Sequence, residues 1–162
     1  IRDNRFIDTT IIKLPDIVDK ESESEDDTQN NTYNNEYNKI FKEAVSDLDN
    51  NNFELAYQKL NNLKSTLSTN DSLYFECDFY MAECMVSQNK LNDAKKIFDL
   101  LETNENAPEV VLEKTLVRLG QIYCQKNDKK TAASYFSKLE MLNPKSIYLK
   151  VANCNFLDKR AK

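Results

Sequence analysis

The cysteines are the residues of this chain whose types could most readily support chemistry. The 162 residues include four cysteines and no histidine. Cys77 and Cys84 are seven residues apart, which on a helix places them two turns apart on one face, too far apart for a disulfide between them. None of the four, including Cys124 and Cys154, has the spacing of a metal site. We therefore expect buried thiols that serve as small apolar residues.

Two other kinds of cysteine chemistry are the alternatives. A disulfide could join neighbouring helices, for example Cys84 with Cys124, and it would imply an oxidising compartment. A nucleophile at Cys77 or Cys124 would need a histidine or a cationic neighbour to lower its thiol pKa. Because the chain has no histidine, we expect no catalytic cysteine.

Composition argues against most other functional classes. The chain contains one glycine, so it has no glycine-rich phosphate loop, and without histidine it lacks the most common general base and metal ligand. The acidic residues between positions 20 and 27 lack the alternating ligands and the central glycine of an EF-hand calcium loop. The sequence therefore predicts no catalytic residue, no metal and no cofactor, and it indicates a binding protein rather than an enzyme.

The net charge of −5 comes from the first part of the chain. Residues 1–35 hold nine acidic and four basic side chains, whereas residues 36–162 hold eighteen of each. Because nucleic-acid binding needs a surplus of Lys and Arg, we expect no nucleic-acid partner. No stretch approaches 18 consecutive apolar residues and nothing resembles a signal peptide, so the sequence predicts no membrane span.

Two segments precede the body of the chain. Residues 1–18 include an apolar, β-like run at positions 6–12 that is followed by Pro15. Residues 19–35 are acidic and rich in asparagine, and such a stretch cannot bury enough apolar surface to offset the ordering of its backbone. We therefore predict a linker over residues 19–35, preceded by a docking segment that lies along the body or pairs with a partner.

The rest of the chain repeats with a period of 38 residues, and a repeat of this kind decides the fold. Each unit is predicted to form two helices and a turn, with small residues where the helices approach and an asparagine in the left-handed conformation between them. Large apolar residues on the second helix form a stripe that packs on the next unit. The five aligned columns are Ala44, Ala82 and Gly120; Asn51, Asn89 and Asn127; Ala56, Ala94 and Ala132; Leu60, Phe98 and Phe136; and Leu63, Leu101 and Leu139.

These units resemble the tetratricopeptide repeats. The third unit matches the family pattern at Leu116, Leu119, Gly120, Tyr123, Ala132, Phe136 and Pro144. The second unit matches at Met81, Ala82, Ala94 and Phe98. The first unit matches at Ile40, Ala44, Phe53, Ala56 and Leu60, but Glu43 and Asp47 stand at places that are usually apolar.

The resemblance covers residues 37–144 and implies an all-α fold, a right-handed solenoid of about three repeats. The repeats occupy residues 36–145, at about 37–74, 75–112 and 113–145. Residues 146–162 are predicted to form a C-terminal capping helix, because Ile147, Val151 and Cys154 fall on one helical face. The start of a fourth unit is the alternative interpretation of this tail.

The 38-residue period is longer than the usual 34 residues of the family. In this respect the chain resembles the bacterial envelope subgroup, which includes the periplasmic coordinator of the Tol-Pal system and the BamD-like outer-membrane lipoproteins. Residues 79–84 are similar to the first-helix sequence of that subgroup. The resemblance implies a periplasmic or cell-envelope location, with the cytoplasm as the alternative.

In this family the first helices form a concave groove that binds partners. Phe41, Val45, Phe79 and Val117 are expected to form an apolar patch there, the kind of patch that marks a protein or peptide site. The alternative is that the N-terminal segment covers some of these residues or that they pack internally. The groove positions carried over from the family are Asn38, Phe41, Val45 and Leu48; Glu76, Phe79, Glu83 and Val86; and Lys114, Val117, Gln121 and Cys124.

The carboxylate clamp that holds chaperone C-termini is incomplete in this chain. Only Lys114 and Arg118 stand at matching places, and apolar side chains cannot replace the missing cationic and amide donors. The leading hypothesis is therefore a non-enzymatic scaffold or adaptor that binds another protein in the groove. The alternatives are a self-assembling structural subunit, which would be a homo-oligomer, and an accessory subunit of an enzyme.

Overall fold

A computed structural model describes residues 30–155, with side chains from Asn34 onward. Its helices confirm the predicted all-α class, and there is no strand among the described residues. The predicted docking segment at residues 1–18 lies outside the described residues, and helix α1 begins inside the stretch predicted as a linker. The elements in order are α1 (Asn30–Asp49), α2 (Phe53–Thr66), α3 (Ser72–Ser87), α4 (Leu91–Glu102), α5 (Glu109–Gln125), α6 (Lys129–Leu142) and a 3₁₀-helix (Ile147–Val151).

The helix ends follow the 38-residue period of the sequence. Helices α1, α3 and α5 end at residues 49, 87 and 125, and helices α2, α4 and α6 begin at residues 53, 91 and 129. Each helix packs on the next one in the chain, and the first helices of successive units also touch, α1 on α3 and α3 on α5. The repeat is therefore present in the backbone as well as in the residue types.

The turn inside each unit is made by the predicted asparagines. Asn51, Asn89 and Asn127 have φ values of 65°, 59° and 61°, and they are the non-glycine residues with positive φ in the described part of the chain. In the second unit the Asn89 N–H donates to the Val86 carbonyl and the Lys90 N–H donates to the Met85 carbonyl, at 2.9 and 2.8 Å. Equivalent pairs occur in the other two units. This is the Schellman arrangement, in which a left-handed residue satisfies the last carbonyls of a helix.

Small residues stand where the helices approach most closely. The alanines of the two small-residue columns are fully buried. At the one glycine, Gly120, a β-carbon would lie 2.2 Å from the ring of Phe136. Of the predicted apolar stripe, Phe136 is half-buried and the other five residues are buried.

Helix α3 lies between two hydrophobic clusters. One joins α1, α2 and α3 and includes Cys77 and Cys84, and the other joins α3 to the rest of the chain and includes Phe75 and Phe79. Apolar side chains are therefore needed on opposite sides of α3, and residues 81–84 are buried consecutively. This double burial explains why α3 is the most apolar helix of the six described.

The cysteine prediction was right for two residues and wrong for two. Cys77 and Cys84 are free, buried thiols, whereas Cys124 and Cys154 form a disulfide with their Cα atoms 5.4 Å apart. The alternative pairing of Cys84 with Cys124 was also wrong. The two bonded cysteines are 30 residues apart, and the way the tail returns to α5 cannot be deduced from that separation.

The C-terminal tail does not form the predicted continuous helix from residue 146. It forms the five-residue 3₁₀-helix Ile147–Val151, followed by a bend at residues 153 and 154, and residues 156–162 lie outside the described part. Tertiary contacts explain the difference. In an α-helix the Val151 carbonyl would accept from residue 155, but here it accepts from the Gln121 side chain at 3.2 Å and from the Asn153 N–H at 3.0 Å.

Candidate functional site

The predicted groove residues lie on α1, α3 and α5, and we call the surface that they define the first-helix face. The structure brings these helices side by side. Asn38 on this face is exposed, and Phe41, Val45 and Glu76 are partly buried. The remaining positions are buried or, at Cys124, half-buried in a disulfide. The buried positions are Leu48, Phe79, Glu83, Val86, Lys114, Val117 and Gln121.

The predicted apolar patch is therefore divided. Phe79 and Val117 are 1% and 0% exposed and belong to the hydrophobic core, so they are not part of an accessible surface. Phe41 and Val45 keep part of their surface accessible. The alternative interpretation, internal packing, is correct for Phe79 and Val117, because α3 and α5 touch each other and bury the side chains between them.

A buried ion pair joins α3 to α5. Arg118 donates from Nε to Glu83 Oε1 at 2.7 Å and from Nη2 to Glu83 Oε2 at 2.5 Å. Its Nη1 atom donates to Gln121 Oε1 at 2.7 Å. The side chains of Arg118 and Glu83 are 5% and 4% exposed. Two parallel hydrogen bonds between a guanidinium and a carboxylate give both strength and a fixed geometry, so this pair sets the position of α3 on α5.

A second ion pair lies beside the first. Lys114 Nζ is 2.6 Å from Glu76 Oε2, and the lysine side chain is 8% exposed. The same ammonium group lies 4.7 Å from the centre of the Phe79 ring and 5.3 Å from that of Tyr80. A cation over an aromatic face gains electrostatic energy that increases when water is excluded.

The two cationic side chains at the carboxylate-clamp positions therefore form ion pairs within the chain. Lys114 binds Glu76 and Arg118 binds Glu83. A carboxylate from a partner would have to displace a carboxylate that is already held in place.

An aromatic row crosses the face from α1 to α4. Phe41 and Tyr80 meet edge to face with ring centres 5.3 Å apart, and Phe79 contacts Tyr80 at 5.5 Å and Phe98 at 5.6 Å. Phe79 and Phe98 are buried, whereas Phe41 and Tyr80 are partly accessible. The accessible end of the row thus lies between α1 and α3.

Sequence analysis missed Tyr80 as a site residue. It aligns with Arg118 at the 38-residue period, and it was not among the groove positions carried over from the family. Its alignment with a position on the face was a usable signal, because the same register placed Phe41 and Phe79 there. The contact with Phe41 makes Tyr80 a central residue of the accessible aromatic surface.

The outer side of α1 borders this surface with polar groups. A depression of about 450 Å³ lies along α1, with Asn38 in its lining. The surface beside Phe41 therefore combines aromatic area with a polar edge that can donate and accept hydrogen bonds. The other lining residues are Asn35, Lys39, Lys42, Glu43 and Ser46.

The free cysteines lack the properties of nucleophiles. Burial, with the neighbouring carboxylates, raises the pKa of Cys77 and of Cys84 to about 12. Both residues are therefore protonated thiols at neutral pH, and only the thiolate is a good nucleophile. Cys124 is oxidised in its disulfide, so neither position proposed for a nucleophile holds a reactive thiol.

Between residues 30 and 155, no group of three or more Cys, Asp or Glu side chains is arranged to hold a metal ion. Over the same range, no helix has the length and apolar character needed to cross a bilayer. Comparison with family models, curated proteins and solved structures found no match for this chain.

Proposed function

We propose that this chain is a tetratricopeptide-like α-solenoid of three units that binds another protein and carries out no catalysis. The solenoid is supported by the 38-residue period of the helix ends and by the left-handed asparagines at Asn51, Asn89 and Asn127. The sequential packing of the helices supports it as well. Units of this kind cannot bury their apolar faces alone, so stacking makes an extended surface available for binding.

The binding site is the part of the first-helix face between α1 and α3. The observation that carries this proposal is the partly accessible edge-to-face pair of Phe41 and Tyr80, with exposed Asn38 next to it. Aromatic side chains at the centre of an interface, surrounded by polar groups, contribute most of the binding energy in many complexes. The α5 part of the face is not the binding site in this proposal, because Lys114 and Arg118 are already held in ion pairs with carboxylates of α3.

The partner segment that fits this site is apolar with polar flanks. An aromatic or aliphatic side chain would cover the accessible edges of Phe41 and Tyr80, and the Asn38 amide would bind a backbone or side-chain polar group of the partner. An extended or helical segment meets both requirements. The Lys114 ammonium lies 5.3 Å from the centre of the Tyr80 ring, and a contact of this kind orders Tyr80 before binding and so reduces the entropy lost on association.

The proposal includes a location in an oxidising compartment, as in the bacterial cell envelope. Its support is the Cys124–Cys154 disulfide, because disulfides persist mainly in such compartments. The absence of catalysis is supported by the state of the cysteines. The buried thiols have a pKa of about 12.

Site-specific photo-crosslinking tests the binding site. The full chain carries a benzophenone amino acid at Asn38, or at the exposed position Gln58 on α2 as the control, and is irradiated in its native cells. We expect a defined adduct from position 38 and none from position 58. Equal yields from both positions, or no adduct from either, would overturn the proposal.

A pair of alanine variants shows whether the aromatic surface carries the affinity. Phe41→Ala should reduce the adduct at position 38 at least about tenfold, since an aromatic anchor contributes about 2 kcal/mol or more. Phe53→Ala is the matched control, because Phe53 is also half-buried against the same cluster but lies at the start of α2. Loss of the adduct in both variants would indicate unfolding rather than a lost contact.

Deletion of residues 1–18 tests whether this segment competes with the partner for the binding site. We expect more adduct at position 38 after deletion, because this apolar segment can compete with the partner for the same surface. A lower yield would mean that the segment is part of the interface.

Self-assembly is a second candidate, favoured by the apolar side chains at the end of α6. Met141 is 84% exposed, and Leu142 and Ile147 nearby are also exposed. If these residues join copies of the chain, light scattering should show a mass that rises with concentration. Met141→Lys should abolish the rise, whereas Leu100→Lys, a change at an exposed leucine on α4, should leave it unchanged.

A further inference from the structure

Residues 146–155 form a terminal segment that is fastened to α5 at both ends. At its far end Cys154 is bonded to Cys124, and the Val151 carbonyl accepts a hydrogen bond from the Gln121 side chain at 3.2 Å. In the middle, Tyr148 is 1% exposed. The segment contacts α5 and α6, which are the last two helices before it.

The near end is held by one buried carboxylate. Glu113 on α5 is 6% exposed, and it accepts a hydrogen bond from the Asn143 amide at 2.8 Å and another from the Ser146 hydroxyl. The Ser146 hydroxyl oxygen also accepts a hydrogen bond from the Tyr148 N–H at 3.2 Å, and it thereby caps the N-terminus of the 3₁₀-helix. Polar contacts thus hold the near end, and the disulfide is the covalent attachment of the far end.

The disulfide stands where the other units use apolar packing. At the 38-residue period Cys124 aligns with Leu48 and Val86. Leu48 shares a cluster with the α3 residues Cys77, Met81 and Cys84, and Val86 shares a cluster with residues of α5. In units one and two this position therefore packs with the next first helix. In unit three the terminal segment takes that place, and the disulfide joins it covalently to α5.

The other two cysteines cannot interfere with this bond. Cys77 and Cys84 are buried in a separate cluster with α1 and α2. Burial raises the pKa of both thiols to about 12, so they do not supply the thiolate that attacks a disulfide. Cys124 and Cys154 are only partly buried, so a reductant can reach them.

We propose that the Cys124–Cys154 disulfide is a reducible lock, and that its reduction by a dithiol releases the terminal segment from α5 while the three units stay folded. A thiolate of the reductant attacks one sulfur and forms a mixed disulfide, and the other cysteine leaves as a thiolate and takes up a proton. The second thiol of the reductant then attacks the mixed disulfide and frees the first cysteine. The protein gains two electrons and two protons, and the dithiol is oxidised to its own disulfide.

Once the bond is broken, noncovalent contacts alone hold the segment: Tyr148 lies in the core cluster, and Leu149, Val151 and Ala152 pack against it. The longest described element of the segment is a five-residue 3₁₀-helix, and Ile147 within it is 42% exposed. Short peripheral elements open more readily than the long helices of a core. Release uncovers Tyr148 and takes away the segment's hydrogen bonds to Gln121 and Glu113.

Hydrogen exchange of the full chain tests the lock without knowledge of any partner. Exchange is followed by mass spectrometry before and after treatment with dithiothreitol, and the mass confirms that the bond is present and then reduced. We expect the amides of residues 147–153 to exchange at least about tenfold faster after reduction, with α1 to α4 unchanged. The Cys154→Ser variant should exchange like the reduced protein and should not respond to dithiothreitol.

Native alkylation provides the second readout. After reduction, iodoacetamide should modify Cys124 and Cys154 and leave Cys77 and Cys84 unmodified. The proposal is overturned if the purified chain contains no disulfide, or if the exchange of residues 147–153 is unchanged after reduction. It is also overturned if reduction increases exchange throughout the helices, because the bond would then stabilise the whole fold rather than lock one segment.

Discussion

Gly120 on α5 lies directly against the ring of Phe136 on α6. A β-carbon at residue 120 would be 2.2 Å from the Cε1 atom of that ring, closer than atoms can approach. The other units have alanine in this column, Ala44 and Ala82, and have Leu60 and Phe98 in the column of Phe136. The third unit therefore places a residue without a β-carbon against a large ring, and the chain uses its single glycine at this contact.

The Gly120 contact predicts the result of enlarging this residue. Gly120→Leu should lower the free energy of unfolding by about 1–3 kcal/mol, because the added side chain forces the Phe136 ring and α6 to move. Urea unfolding followed by circular dichroism measures the change. Ala133→Leu on the exposed side of α6 is the control and should leave stability within about 0.5 kcal/mol. Equal stability of wild type and Gly120→Leu would contradict the close approach.

The buried Arg118–Glu83 pair predicts a strong asymmetry between single and double variants. Arg118→Met should destabilise the chain by about 3–5 kcal/mol, since it leaves the Glu83 carboxylate buried without its main partner. The double variant Arg118→Met with Glu83→Met should recover most of that loss, because no unpaired charge remains. Urea unfolding of the three proteins tests this. A double variant less stable than the single one would contradict the prediction.

An exposed pair provides the comparison for the buried one. Lys138 and Glu102 also form an ion pair, but the Lys138 side chain is 53% exposed. Solvent screens such a pair, so Lys138→Ala should change stability by no more than about 1 kcal/mol.

The left-handed asparagines predict opposite effects of alanine and glycine. Asn89 has a φ of 59°, a conformation that costs a residue with a β-carbon about 1–2 kcal/mol and costs glycine almost nothing. Asn89→Ala should therefore destabilise the chain by about 1 kcal/mol, whereas Asn89→Gly should be neutral or stabilising. Gln88→Ala, at a neighbouring residue with a φ of −84°, should have little effect. Thermal melting of the three variants measures these differences.

The buried thiols predict a loss of stability at alkaline pH. Burial raises the pKa of Cys77 and Cys84 from 9.0 to about 12. Above pH 9 the unfolded chain therefore binds fewer protons than the folded chain, and the free energy of unfolding falls as pH rises. The slope approaches about 1.4 kcal/mol per pH unit for each thiol.

Urea unfolding between pH 8 and 10.5 measures that slope. The double variant Cys77→Ala with Cys84→Ala should have a shallower slope than wild type, even though its stability at pH 8 is lower. The comparison of slopes separates thiol ionisation from the titration of tyrosines and lysines, which both proteins share. Parallel curves would show that the thiols do not contribute.

The repeat architecture was predictable because its determinants are local. The positions of Asn51, Asn89 and Asn127 set the turns through a conformational preference of single residues, and the helix ends follow at the same 38-residue period. The alanine columns and Gly120 depend only on the spacing along two adjacent helices. The all-α class follows from these short-range rules, and the sequence contains them in full.

Which surface is accessible and which cysteines pair were decided by the tertiary structure. Phe79 and Val117 occupy groove positions in the repeat, yet they are buried because α3 and α5 touch. Cys124 pairs with Cys154 because the tail bends back onto α5. There the Gln121 side chain donates a hydrogen bond to the Val151 carbonyl, which a continuing helix would use for its own hydrogen bond. Sequence determines the period and the turns, since these depend on neighbouring residues. Contacts between residues 30 or more positions apart depend on how the helices stack, and no single segment contains that information.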